Sequence, residues 1–344
     1  MKALVTGGTG FVGSALIKSL LADGHEVVSI ARSKKESFSK LAAVTQVSFD
    51  FAAAFDGSQI EILQSALSGC EVVFHVASKV AMWGARESFY QVNVTGTEIL
   101  LEAAKQAGVK RFIYTSSPSV IANGTDLAGV DESMPYPAHY EAFYPETKAI
   151  AERLVLAAHS EAFRTLALRP HLIFGPGDTN LIPTILAKAR AGRLAIIGAG
   201  KNRVDFSYIE DCVAAHRCAE QALARHSNAT ASNGANNCGG RPYFISQGEP
   251  MNLWEFINQI LKNSGQPALT RRISRPLATA IATALECGAR IFGGEPALSR
   301  FLVSEMATEH FFNLNNARTL LNYAPRFSMQ EAIGRTLPFG AAET

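Results

Sequence analysis

The feature that most restricts how this chain can fold is Thr6-Gly7-Gly8-Thr9-Gly10-Phe11-Val12-Gly13, entered from the apolar run 2–6. Val12, Ala15, Leu16, Ser19 and Leu20 then recur at helical spacing, so the stretch reads strand, glycine turn, helix. Glycines at 7, 10 and 13 allow a tight turn, close approach of a pyrophosphate to backbone N–H groups, and close packing of the helix on the strand. A glycine triplet alone is also an ordinary structural turn; the elements on both sides are what make it a dinucleotide signature. It predicts an α/β chain built on a Rossmann-like, doubly wound parallel sheet.

The units that follow keep the alternation. A helix closes near Asp23-Gly24, and 26–30 reads as the second strand. A carboxylate that grips a ribose 2′-hydroxyl is expected at the end of that strand. The chain has Ile30-Ala31-Arg32-Ser33-Lys34-Lys35 there, so Arg32 is placed to pair with a 2′-phosphate, with Lys34 or Lys35 in reserve. This reads as NADP(H) rather than NAD(H), against a solvated basic loop. Further strands are predicted at 47–51 and 71–76, and helices at 58–67 and 86–106. Asp50 ends its strand where an adenine amino group would lie. His75 reads equally as a packed core residue or a functional one. Asn93 is a poor helix former inside the long helix and is expected to hydrogen-bond a neighbouring loop.

The strand predicted at 110–117 ends in Thr115-Ser116-Ser117, at the sheet edge where such folds bind ligands. A serine there can donate to a carbonyl oxygen or merely cap a turn. After a proline-rich loop comes Tyr144-Pro145-Glu146-Thr147-Lys148, with Pro145 and Glu146 suited to a first helical turn. One turn of helix puts Tyr144 and Lys148 on one face, and the lysine charge is expected to lower the phenol pKa, making Tyr144 a candidate general acid. A strand at 165–168 leads into the run 169–177, whose Pro170 is expected to face the nicotinamide end. Residues 226–240 are small and polar and read as a mobile surface loop.

Composition limits the function. At 344 residues with 47% hydrophobic and 18% charged residues, the chain can bury a large core. A net charge of +2 gives no electrostatic reason to expect nucleic acid. The five cysteines form no CxxC pair, which favours reduced thiols, a cytoplasmic setting and no metal site. The apolar segment 277–292 is interrupted by Glu286 and Arg290 and is too short for a transmembrane span. It reads as a core helix of a second lobe, a roof over a greasy pocket, or a peripheral membrane contact.

The glycine turn, the strand end YTSS and the YPETK helix, taken together and in order, resemble the extended short-chain dehydrogenase/reductase superfamily over most of the chain. Runs such as YTSSPSV, ALRPHLIFGPGD and EPALSRF are similar to its 3β-hydroxysteroid dehydrogenase-like branch. VAMWG, VDFSYIEDCVAAH and YFISQGEP resemble the bacterial 2-alkyl-3-oxoalkanoate reductases of long-chain olefin biosynthesis. The resemblance implies Tyr144 as proton donor, Lys148 as holder of the nicotinamide ribose, and Ser117, with Ser116 as the alternative, as hydrogen-bond donor to the carbonyl. It also implies Gly7, Gly10, Phe11 and Val12 around the pyrophosphate, Asp50 with Phe51 at the adenine, and Ala77 contributing through its backbone. The implied organisation is a cofactor domain at 1–175 and a mainly substrate-binding lobe at 176–344, with some segments returning to the first. The implied reaction is NADPH-dependent reduction of a hydrophobic 2-alkyl-3-oxoalkanoate to the 3-hydroxy acid. A homodimer is expected, working in an assembly with other pathway enzymes.

Three other readings compete. A 3β-hydroxysteroid dehydrogenase, with or without isomerase activity, requires much the same apolar surface. A sugar-nucleotide epimerase or dehydratase requires a polar pocket and usually NAD. A non-catalytic NADP sensor has no use for a proton donor.

Overall fold

The computed structural model describes residues 1–53, 57–225 and 237–337. Its large sheet contains seven parallel strands, β1 (Lys2–Thr6), β2 (Glu26–Ala31), β3 (Val44–Ser48), β4 (Val72–His75), β5 (Arg111–Thr115), β6 (Arg164–Pro170) and β7 (Pro242–Ile245), in the order β7-β6-β5-β4-β1-β2-β3. Helices cover both faces, so the inner strands β1, β4 and β6 are almost wholly buried, as the near-continuous apolar runs of parallel strands require, whereas the edge strand β3 is only partly covered. On one face Ala3, Val5 and Ile113 pack with Leu16 and Leu20 of the helix Phe11–Ala22 and Ala215 and Ala219 of Ile209–Arg225. On the other, Leu4, Val73 and Phe112 meet Leu63, Leu100 and Val155 from the helices Gly57–Leu67, Gly96–Gln106 and Phe143–Ala157.

Strand β1 pairs with β2 on one side and β4 on the other. The winding reverses there, and the crevice of an open α/β sheet lies at the carboxyl ends of the strands that flank such a switch. A second, four-stranded sheet is made of Met251–Asn252, Arg203–Val204, His310–Phe312 and Leu127–Val130. Leu127–Val130 comes from the first half of the chain, whereas β7 and the helix Ile209–Arg225 come from the second half and join the large sheet.

Several sequence expectations need adjusting. The third strand is Val44–Ser48, because its register with β2 begins at Val27 opposite Val44. Asp50 and Phe51 therefore lie in the connection beyond it. The helix expected at 86–106 is helical throughout but widens into a π turn at Gln91–Thr95, around Asn93. Strand β5 stops at Thr115, leaving Ser116 and Ser117 just past its end. Of the stretch expected to be a mobile loop, residues 226–236 lie outside the described residues. Its end is packed: Cys238 is fully buried and Gly239 is held against the His159 ring.

Candidate active site

The site begins where β1 hands over to its helix. Gly7 adopts φ +66°, and a Cβ there would stand 3.0 Å from the Ala77 backbone. A Cβ on Gly13 would collide with the Gly7 carbonyl. Only glycine lets the turn after β1, the segment after β4 and the helix meet this closely. Gly10 is the N-cap of Phe11–Ala22 and supplies no side-chain oxygen to the first amides, those of Phe11 and Val12 among them. A helix start built this way suits a pyrophosphate. The cradle thus fits the dinucleotide that the sequence implies.

The far side of the cradle is fixed by a buried hydrogen-bond chain. Thr6 Oγ1 accepts from the Val76 and Ala77 N–H groups, both at 3.0 Å, so its own proton goes to His75 Nδ1 at 2.8 Å. Thr97 Oγ1 donates to the Asn93 carbonyl and therefore accepts from His75 Nε2 at 2.9 Å. One tautomer of a neutral imidazole satisfies both contacts. Burial, helped by Lys148, lowers the His75 pKa to about 3, so His75 is a structural link. Asn93 continues the chain. Its amide accepts from Ser78 Oγ and Lys79 N–H and donates to Thr147 Oγ1 at 3.0 Å, tying the loop after β4 to the helix of Tyr144 and Lys148.

Ser117, Tyr144 and Lys148 converge just past the end of β5. The Ser117 hydroxyl lies close enough to the Tyr144 phenol to favour its charged form. Ser117 Oγ also accepts from Ser119 N–H at 3.2 Å and Ser119 Oγ–H at 2.9 Å, which leaves its proton for Tyr144 or for a substrate oxygen. Ser116 is buried and its hydroxyl has no partner among the described residues. Lys148 is 2% exposed; its amine donates to the Thr115 carbonyl at 2.6 Å and lies 4.1 Å from the Tyr114 ring centroid.

The expected sign of the Tyr144 shift is overturned in this state. Burial pushes the phenol up to about 12, with the Ser117 hydroxyl working against the rise and the Glu305 carboxylate adding to it. Burial also pulls the Lys148 amine down to about 7, opposed by Glu152. The physical reason is that desolvation penalises both charged forms, and Lys148 is turned to a strand carbonyl.

Glu152, one turn beyond Lys148, is fully buried and receives the Arg169 guanidinium through Nε and Nη2, the latter at 2.6 Å, together with the Tyr136 hydroxyl at 2.6 Å. Sequence reasoning passed over Glu152 and Glu305. The four-residue spacing from Lys148 was a usable signal for Glu152; Glu305 arrives from the distant helix Arg300–Ala307 with none. It lines a crevice of about 10 Å³ with Glu141, Pro145 and Ser304. A larger cavity, about 650 Å³, is bordered by Lys201, Arg203, Glu249 and Met251 and touches none of the residues of the Tyr144 centre.

The remaining sequence candidates are placed as follows. Arg32 is exposed just after β2, and Lys35 Nζ reaches the Thr9 carbonyl of the glycine turn at 3.5 Å. Asp50 is exposed and accepts from Ala52 N–H. The Phe51 ring is turned inward, 4.9 Å from Phe49 and against Gly96, so only its backbone can border an adenine. Pro170 is buried at the end of β6.

A family model described as the 3-beta hydroxysteroid dehydrogenase/isomerase family matches residues 4–275. The 2-alkyl-3-oxoalkanoate reductase of Stenotrophomonas maltophilia is 39% identical over 99% of this chain and 100% of its own length. That of Shewanella oneidensis is 35% identical over 97% of this chain and 84% of its own. Among solved structures, a UDP-glucuronic acid 4-epimerase from Bacillus cereus in complex with NAD superimposes with a TM-score of 0.72 at 22% identity, covering 97% of each chain.

Proposed function

The chain belongs to the 3-beta hydroxysteroid dehydrogenase/isomerase family and is an NAD(P)-dependent oxidoreductase, and from that premise we propose that it reduces the ketone of a 2-alkyl-3-oxoalkanoate with NADPH, giving the 2-alkyl-3-hydroxyalkanoate of an olefin-forming route. The observation that carries the substrate class is the near full-length likeness to two reductases of that name. The first 175 residues hold the cofactor and the lobe drawn mainly from 176–344 holds the alkyl arms. Arg32, at a strand end without a carboxylate, supports the preference for a 2′-phosphate. A bound reduced nicotinamide supplies the hydride.

The chain's own residues do the rest. Tyr144 gives its proton to the ketone oxygen, for which a phenol held neutral by burial is suited. Ser117, with its oxygen committed to Ser119, turns its proton toward the same oxygen and stabilises the developing negative charge. Lys148, whose amine lies just past the end of β5, holds the nicotinamide ribose. The second reading, a 3β-hydroxysteroid dehydrogenase, is favoured by the family's description and uses the same three side chains.

Purified protein given NADPH with a 2-alkyl-3-ketoacid, a 3-ketosteroid or a UDP-hexose separates the readings. NADPH oxidation with the ketoacid alone is expected. Turnover of the steroid alone overturns the substrate assignment, and binding of NADPH without turnover of any of the three leaves a nucleotide-binding protein.

A further inference from the structure

The helix Arg275–Phe292 packs inward through Ala278, Ala282 and Glu286, and its outer face is apolar as well. Leu277, Ile281 and Leu285, four residues apart, are 55%, 40% and 38% exposed. Ile291 and Phe292 at its tip are 74% and 87% exposed. Scattered exposed leucines need no explanation, but an apolar stripe that ends in two nearly bare large side chains is a surface built to be covered.

The charges over residues 271–292, the helix and the four residues before it, are sorted by sign. Arg271, Arg272, Arg275 and Arg290 are all exposed, whereas the segment's one carboxylate, Glu286, is buried and accepts from Arg300 N–H and Nε. Glu295, three residues past the tip, is the one exposed carboxylate beside this face, and its charge acts on Lys188. An apolar stripe with cations at both ends complements anionic lipid headgroups, which attract the arginines while the acyl boundary takes the leucines, Ile291 and Phe292. Among the described residues no helix is long and apolar enough to cross a membrane, so this one lies along the surface.

The face is continuous with the surroundings of Tyr144. The Arg290 guanidinium sits 5.9 Å from the centroid of the Trp83 ring, in the loop after β4 that also exposes Val80. Arg275 Nη2 donates to the Gly124 carbonyl, which lines the crevice shared with Pro145 and Glu305.

We propose that the outer face of Arg275–Phe292, with the loop around Trp83, docks on an anionic phospholipid surface and presents the catalytic crevice to the lipid phase. This does not depend on which ketone is reduced. The full chain is sedimented with vesicles of phosphatidylcholine, with and without phosphatidylglycerol, while Trp83 emission is followed; Trp254 is buried and serves as the internal reference. The wild type is expected to sediment with the phosphatidylglycerol vesicles only, to be released by salt, and to show a blue shift of the Trp83 emission. The double variant Ile291→Ser/Phe292→Ser should lose at least about tenfold in partition. Arg271→Gln and Arg290→Gln should each lose about fivefold. All must keep the wild-type melting temperature and NADPH binding, so that a folding defect is recognised. No binding by the wild type, or wild-type binding by the double variant, overturns the proposal. So does self-association that Ile291→Ser abolishes in the absence of any vesicle binding, since the face is then a contact between copies.

Discussion

Replacing Lys148 by methionine, which fills similar space without the amine, reads the energetics of the centre directly. The side chain is 2% exposed and its amine falls from 10.5 to about 7, chiefly through burial. Its folded value lies below its unfolded one, so between these values the unfolded chain keeps a proton that the folded chain has released. Stability therefore rises with pH across that window, by up to about 1.4 kcal/mol per pH unit. Below it the charged amine is buried in full, at a cost of about 5 kcal/mol. Lys148→Met has no such cost. Urea unfolding of both proteins across a pH series cancels the other titrating groups, which the two share. The stability of the wild type relative to the variant should climb by about 1 kcal/mol per pH unit from about pH 7.5 to about pH 9.5 and level off above about pH 10.5. A difference that stays flat across the window refutes the reasoning, because the amine would then be as well solvated folded as unfolded.

Other outcomes follow from the same contacts. Glu152→Gln leaves the Arg169 guanidinium buried without its counter-charge and should destabilise the chain by about 3 kcal/mol in urea unfolding; adding Arg169→Leu should recover part of that loss. Arg32→Glu should raise the KM for NADPH far more than that for NADH, and an unchanged ratio removes Arg32 from the 2′-phosphate site. Ser119→Ala should lower kcat by about tenfold, less than the ~100-fold expected of Ser117→Ala, because it only frees the Ser117 hydroxyl to rotate.

What the sequence made legible was local. The glycine turn, the strands on either side of the switch and the Tyr144 helix each lie within a short window whose spacing carries the information. The Thr6, His75, Thr97, Asn93 and Thr147 chain was not legible, since its members come from four separate elements and only the strand order brings them together. His75 could be read either way until both of its neighbours were known. Asn93 was legible in kind, as a polar residue bound to a loop, but its second bond to the Tyr144 helix was not. The sign of the Tyr144 shift was missed for a physical reason: sequence shows that a lysine is one turn away, and cannot show that burial acts on both groups or that the amine faces Thr115. The return of Pro242–Ile245 to the edge of the large sheet was likewise fixed by pairing with β6.

The central claim is that Tyr144 protonates a ketone oxygen while the nicotinamide of a dinucleotide, its pyrophosphate held in the glycine cradle, reduces the carbon. It is tested most directly by giving NADPH deuterated at C4, in separate reactions for the two faces, and a 2-alkyl-3-ketoacid to the wild type and to Tyr144→Phe. The account predicts deuterium on the carbinol carbon from one face with the wild type, and no label with the variant although it binds NADPH as tightly. Label delivered at the wild-type rate by Tyr144→Phe would contradict it.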